Sequence, residues 1–361
     1  MNKVYHVGVV GCGMISEVYI RNMQSVFSDV LAVQGVFDRN QENALRRAEQ
    51  FALPRCYSTM EQMLEDPLID IVLDLCPPAA HYSVNRQALE AGKHVYSEKP
   101  LAATYEQGAE LVELARKNGV RLGCSPDVPL GSMIQTARKL VEEGAIGRVV
   151  GATANLIKQG VETWHPNPDF LYQPGGGPLL DMGPYYLTAL LHIVGPFASV
   201  SAMDTISFPT RRITSEPHFG EIIHVNVPTY VNALLQFTNG ALATFTATFD
   251  VWNSKLPFLE IYGETGSILV SDPNRFGGPV MLAKAGGEYG QVPVCFPYSD
   301  NNRGLGIYDM ARAISDGTVP RAESTYALHV LETMTAISAS AKEGIRIPLR
   351  TACGKPSPMP G

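Results

Sequence analysis

The first third of the 361-residue chain alternates short apolar runs with amphipathic stretches. Residues 4–10 predict a strand, and 16–27 carry Val18, Tyr19, Met23 and Val26 at helical spacing. Residues 31–37 predict a second strand, and 40–52 a helix closed by Leu53-Pro54. A continuous apolar strand spans 70–75 (Ile71, Val72, Leu73, Leu75) and halts at Pro77-Pro78. Residues 80–91 read as a helix ended by Gly92, 94–96 as a strand, 105–117 as a helix ending near Gly119, and 120–124 as a strand. Strands that are apolar throughout, alternating with helices, imply a parallel sheet covered on both faces. Right-handed crossovers then make an α/β, doubly wound domain.

The pattern changes after Cys124. One helix is expected at 132–143, followed by longer strands at 149–157, 199–208, 230–237 and 241–251. The last two are joined by Thr238-Asn239-Gly240, and Asn-Gly is a strong hairpin signal. Strands 259–262 and 267–270 form a further pair across Gly263–Gly266, and helices at 306–315 and 324–341 follow. Successive hairpins make a mostly antiparallel sheet, hence an α+β second domain. The expected division is therefore 1–123 and 124–361, with the tail from Arg346 loose or draped on the surface.

Composition narrows the class. Hydrophobic residues at 45% and charged residues at 17% exclude bulk disorder. A net charge of −7 argues against a nucleic-acid surface or a basic membrane patch, and no apolar run approaches a membrane span. The first apolar run is broken by Gly11 and Gly13, so it does not read as a signal peptide. Six scattered cysteines, with no close pair of the zinc or thioredoxin type, read as reduced thiols in a cytoplasmic protein. No His/Asp/Glu cluster has metal-binding spacing, so no metal is expected.

The chemistry begins at the first strand–helix turn, Gly11-Cys-Gly13-Met14-Ile15-Ser16. Gly11 permits the tight turn, Gly13 lets backbone approach a pyrophosphate at the helix N-terminus, and Ser16 replaces the usual third glycine. Asp38, at the end of the second strand, is placed to bind an adenosine ribose. A carboxylate there repels a 2′-phosphate, which favours NAD over NADP, although Arg39 could offset part of that repulsion. Pro77 and His81 follow the third strand, where a ligand should lie; His81 could equally be an ordinary polar residue at a helix start. Glu98-Lys99-Pro100 follows the next strand. Beside a cationic nicotinamide and partly desolvated, Lys99 could trade protons with a substrate hydroxyl, while Glu98 anchors a cofactor ribose or orients Lys99. The plain alternative is an exposed Glu-Lys pair.

Taken together, Gly-x-Gly-x-x-Ser at 11–16, Asp38, Pro-Pro-x-x-His at 77–81 and Glu-Lys-Pro at 98–100 resemble the glucose–fructose oxidoreductase / inositol dehydrogenase / rhizopine catabolism (Gfo/Idh/MocA) family. Gly175-Gly-Gly-Pro-Leu-Leu-Asp181-Met-Gly183-Pro-Tyr185 and Glu260-Ile-Tyr-Gly263-Glu-Thr-Gly266 extend the resemblance over essentially the whole chain. It implies a Rossmann domain, a second domain with a large open sheet, NAD(P), and oxidation or reduction of sugars, polyols or related hydroxy compounds. The family's catalytic Lys and Asp carry over to Lys99 and Asp181. Its His, four residues after the Asp, is Tyr185 here. A tyrosine with an ordinary pKa of ~10 is a poor base near neutrality unless a cation lowers it.

Upstream, Trp164-His165-Pro166-Asn167-Pro168 offers an indole to stack on a sugar face and an imidazole as an alternative proton acceptor. The plain reading makes Trp164 a core plug and His165 a solvent-facing loop residue. Asp127 stands where many relatives place an Arg, which favours a neutral sugar over a sugar acid. The expected protein is thus an NAD-dependent carbohydrate dehydrogenase, with Lys99, Trp164, His165, Asp181 and Tyr185 on the substrate, and a homodimer or homotetramer. Two rivals are a glycoside-cleaving enzyme that oxidises, eliminates and re-reduces, and a non-catalytic NAD-binding regulator.

Overall fold

The computed structural model describes residues 3–360. By contact the chain divides into two compact units: residues up to Leu130 with Asp300–Leu331, and Gly131–Ser299 with the chain from Glu332 onward.

The first unit alternates β1 (Tyr5–Val10), α1 (Ser16–Ser25), β2 (Leu31–Phe37), α2 (Gln41–Gln50), β3 (Arg55–Cys56), α3 (Met60–Glu65), β4 (Ile71–Asp74), α4 (Pro78–Glu90), β5 (His94–Ser97), α5 (Tyr105–Asn118) and β6 (Leu122–Cys124). All six strands are parallel, in the order β3-β2-β1-β4-β5-β6. Val7, Val9, Ile71, Val72 and Leu73 are fully buried, because helices cover both faces of the sheet. Helix starts sit on side chains that accept from the first turn: Asn40 from the Glu42 amide, Thr59 from Gln62, Thr104 from Gln107. Strand order reverses about β1, between β2 and β4. In such a sheet the ligand crevice lies beyond the C-terminal strand ends at that reversal.

The second unit holds α6 (Ser132–Glu142), β7 (Val149–Ile157), α7 (Gly177–Ile193), β8 (Phe197–Thr205), β9 (Thr210–Arg212), β10 (Ile222–His224), β11 (Tyr230–Phe237), β12 (Leu242–Thr248), β13 (Leu259–Gly263), β14 (Gly266–Val270), β15 (Val280–Lys284) and β16 (Gly290–Val292). Helices α8 (Leu305–Asp316) and α9 (Ser324–Glu343) and strand β17 (Ile347–Pro348) end the chain. A nine-stranded sheet runs β16-β15-β14-β13-β7-β12-β11-β8-β17, antiparallel except for β7 beside β12. Helix α7 packs on β7, β11 and β12. The β11 and β12 side chains alternate buried and exposed, the signature of a sheet covered on one face. In the β13–β14 turn a Cβ on Gly263 would lie 2.2 Å from the Ile146 carbonyl, and one on Gly266 2.4 Å from the Ala283 carbonyl. Those glycines therefore serve packing.

Two features depart from the sequence reading, and the tail settles one of its alternatives. Helix α7 is 17 residues long, although its sequence opens on glycines and contains Pro184. Helix α8, expected in the second domain, belongs to the first unit. It is held there by Asn22 Nδ2, which donates to the Asn301 and Arg303 carbonyls at 2.8 and 2.7 Å. The tail is draped and fastened: Leu349 N donates to the Ala198 carbonyl at 2.9 Å, Lys355 Nζ to the Ile193 carbonyl at 2.8 Å, and Met359 is buried.

Candidate active site

The glycine turn is built from β1 outward. Gly11 takes φ +95°, and a Cβ on it would lie 2.8 Å from the Leu75 carbonyl and 2.9 Å from the Cys76 nitrogen. Only glycine satisfies both the dihedral and the approach of the two loops. Gly13 is the opposite case: a Cβ there meets nothing within 4 Å. Its carbonyl is held from behind by Ser16 Oγ at 2.7 Å and Arg47 Nη2 at 3.1 Å. The amides of Gly13, Met14 and Ile15 have no acceptor among the described residues, and Met14 is 71% exposed. Outward amides at a helix start, with open space before them, form an anion cradle that fits a pyrophosphate.

Asp38 closes the cradle. Its carboxylate accepts from the Cys12 amide at 2.7 Å and the Asn40 amide at 2.8 Å, which fixes it while leaving lone pairs for a ribose. Arg39 is exposed. Cys12 is inert here, because burial and then the Asp38 charge push its thiol up to about 12. Arg47, on the buried stripe of α2 with Ala44, was missed by sequence reading; its only signal was a basic residue at an apolar position of that helix.

Pro77 is exposed just after β4, beside the cradle. His81 corrects the sequence expectation. It is fully buried, with Nδ1 2.8 Å from Asp74 Oδ2. It therefore stiffens the end of β4 and cannot touch a bound dinucleotide. Asp74 in turn accepts from the Cys76 amide at 2.9 Å, and its carbonyl takes the Glu98 amide at 2.8 Å.

Glu98 and Lys99 are half-buried at the end of β5. Glu98 Oε1 accepts from Tyr19 OH at 2.7 Å and Oε2 from the Lys99 amide at 3.0 Å. The segment that carries Lys99 is thus clamped from α1, so the pair is no freely exposed dipeptide. Asp127 is a second correction. It is buried and accepts from the Gly304 and Gly306 amides at 2.8 and 3.2 Å, capping α8 from a distance. Burial pushes its carboxyl up to about 6. It faces no substrate, so the preference for neutral sugars loses this support.

In the second unit, Asp181 and Tyr185 lie one turn apart on one face of α7, Asp181 partly exposed and Tyr185 buried. Between them Pro184 removes the helical bond to the Leu180 carbonyl. Trp164 is 63% exposed, which rules out a core plug, and its ring meets that of His165 edge-on at 5.5 Å. His165 Nδ1 accepts from the Asn167 amide at 3.0 Å. With Nδ1 engaged as an acceptor, the neutral ring carries its proton on Nε2, where it can donate to a sugar oxygen. His192 and His329 are buried in helices, as packing residues are. Sequence reading also missed the ion clusters of this unit: the buried Glu162, Arg211 and Asp250 side chains, and the partly buried Asp272, which pairs with Lys158 at 3.2 Å.

Residues 5–125 match the family model described as an oxidoreductase family with an NAD-binding Rossmann fold, and 134–269 match the GFO/IDH/MocA C-terminal domain. Among characterised relatives, levoglucosan dehydrogenase of Pseudarthrobacter phenanthrenivorans is 26% identical, over 75% of this chain and 74% of its own. D-glucoside 3-dehydrogenase of Escherichia coli is 28% identical, over 67% and 70%. Among solved structures, a levoglucosan dehydrogenase complex with NADH superposes with a TM-score of 0.85 at 21% identity, covering 97% of this chain and 100% of that one. With models of both its domains matched, the chain belongs to the Gfo/Idh/MocA family of NAD-binding oxidoreductases.

Proposed function

We propose that this protein is an NAD-dependent dehydrogenase that oxidises a secondary hydroxyl of a neutral carbohydrate. The observation that carries the reading is the cradle of open amides at 13–15 closed by a fixed Asp38 carboxylate. The relatives named for levoglucosan and D-glucosides supply the substrate class. Gly11, Gly13, Met14 and Ile15 hold the pyrophosphate, Asp38 the adenosine ribose and Glu98 the second ribose, with Pro77 as the wall. Bound NAD supplies the acceptor for the hydrogen leaving the carbinol carbon.

The chain's own residues manage the proton and the pose. Lys99 takes the hydroxyl proton as the carbon is oxidised. Asp181 accepts a hydrogen bond from the sugar, and Tyr185, one turn on, donates to it. Trp164 stacks on the sugar face, and His165 Nε2–H binds a ring or hydroxyl oxygen. The protein acts in the cytoplasm as a homo-oligomer. Met203, Leu234 and Leu242, 81%, 62% and 61% exposed on one sheet face, are the surface a second copy covers.

The test is a screen of levoglucosan, methyl glucosides and D-xylose with NAD and with NADP, followed by NADH absorbance. Steady NADH formation with NAD is expected. Glycoside cleavage without net NADH would move the protein to the glycosidase reading, and tight NADH binding without any turnover to the regulator.

A further inference from the structure

We infer that Arg211 is a positioning residue for sugar recognition: it locks the β9–β10 hairpin to the loop that carries Trp164 and His165. The inference rests on the reading of that loop as the sugar-binding segment.

Residues 158–176 leave β7 and fold against the hairpin around a small core of their own. Val161, Leu171 and Tyr172 from the loop meet Ile213, Ile223, Val225 and Phe249, and Met182, next to Asp181, packs on this cluster. Arg211 lies inside it, 8% exposed. Nη1 donates to Glu162 Oε1 at 3.1 Å, and Nη2 donates to Asp250 Oδ1. Glu162 is buried as well and also accepts from Tyr172 OH and from Gln159 Nε2. Thr229 Oγ1 donates to Asp250 Oδ2 at 2.8 Å. The guanidinium sits 5.0 Å from the Phe208 ring centroid and 5.8 Å from that of Tyr172.

One cation therefore compensates two buried carboxylates, one on the loop and one just beyond β12. Only a planar fork reaches both; lysine is a point charge and would leave one unpaired. The same hairpin grips the loop's backbone. The Thr214 amide donates to the Glu162 carbonyl at 2.9 Å, and Ser215 Oγ to the His165 carbonyl at 2.6 Å. Trp164 is mostly exposed, so burial does not set its position. The backbone beneath it does, and that backbone hangs on Arg211.

The chain has two tryptophans, so Trp252→Phe leaves Trp164 as a single fluorescent reporter. In that background Arg211→Met should lower Trp164 anisotropy and increase its quenching by acrylamide. In the otherwise native chain, Arg211→Met should raise KM for the turned-over glucoside or levoglucosan about tenfold, change kcat far less, and leave NADH affinity intact. Arg211→Lys should not rescue it. Ser215→Ala removes one link and leaves the ions in place, and should raise KM about threefold. The inference is overturned if Trp164 stays as ordered and KM stays put in both variants, or if Ser215→Ala alone does so where Arg211→Met fails to fold. Trp164→Ala separates the two ideas. If it leaves KM unchanged, the sugar-binding reading of the loop fails and takes this inference with it. If it raises KM while the other variants do not, Arg211 alone is wrongly assigned.

Discussion

Alanine at Gly11 and at Gly13 should have opposite consequences, although the two residues share one turn. At Gly11 the methyl would lie 2.8 Å from the Leu75 carbonyl and 2.9 Å from the Cys76 nitrogen, on backbone that cannot swing aside, at a φ of +95°. The left-handed dihedral costs ~1–2 kcal/mol, and overpacking typically ~1–3 kcal/mol. For a unit of this size each kcal/mol lowers the melting temperature by ~2–4 °C, so Gly11→Ala should lose roughly 5–15 °C without nucleotide. At Gly13 the φ lies outside the left-handed region and no atom stands within 4 Å of the methyl. Gly13→Ala should therefore leave the melting temperature unchanged or raise it, since the unfolded chain loses freedom worth ~0.4–1 kcal/mol. The space it fills is the space assigned to the pyrophosphate. A loss of ~2–3 kcal/mol there weakens NADH binding by roughly 30–150-fold. Thermal melts without nucleotide and titration of NADH fluorescence read the two effects separately. The reasoning is refuted if Gly13→Ala melts as low as Gly11→Ala, or binds NADH within about twofold of the native chain.

Lys99→Met should keep NADH affinity and lower kcat by about 10²–10⁴, the usual worth of general acid–base catalysis; near-native turnover would remove Lys99 from that role. Asp38→Ser should narrow the preference for NAD over NADP by roughly tenfold or more, because it removes the charge facing a 2′-phosphate; the ratio of kcat/KM for the two cofactors measures it. Asp127 titrates at about 6 when folded, against ~3.9 unfolded. The folded chain thus holds that proton more tightly, and this group's stabilisation is complete below the lower value and lost as pH rises through the higher one. Asp127→Asn keeps an acceptor for the α8 amides, so its stability relative to the native chain should rise by up to about 3 kcal/mol between pH 4 and 7. Melts across that range check it, and a constant difference would refute it.

What could be read in the sequence follows from burial and spacing. Strands covered on both faces, such as Val7–Val10 and Ile71–Leu73, are continuous apolar runs, so the first sheet was legible. Strand β3 has two residues and α3 six, too few to show a period. The motif around Asp181 and Tyr185 was recognisable, yet its helix was not read, because Gly175–Gly177 and Pro184 are helix-breaking signals that tertiary packing overrides. His81 and Asp127 were misjudged for one reason: burial turns a polar residue inward, and a local pattern does not reveal it. Arg211 finds its carboxylates 49 and 39 residues away, at Glu162 and Asp250, a distance over which no periodicity speaks.

The central claim is that hydrogen leaves a sugar carbon for the nicotinamide while Lys99 handles the proton. It is tested most directly by incubating the protein with NAD and ring-deuterated levoglucosan or methyl glucoside. Mass and NMR spectra of the recovered cofactor then report what was transferred. The account predicts one deuterium at the nicotinamide C4 of each NADH formed, and almost no NADH formed in the same time with Lys99→Met. NADH without deuterium, or a Lys99→Met protein that transfers it at the native rate, would contradict the account.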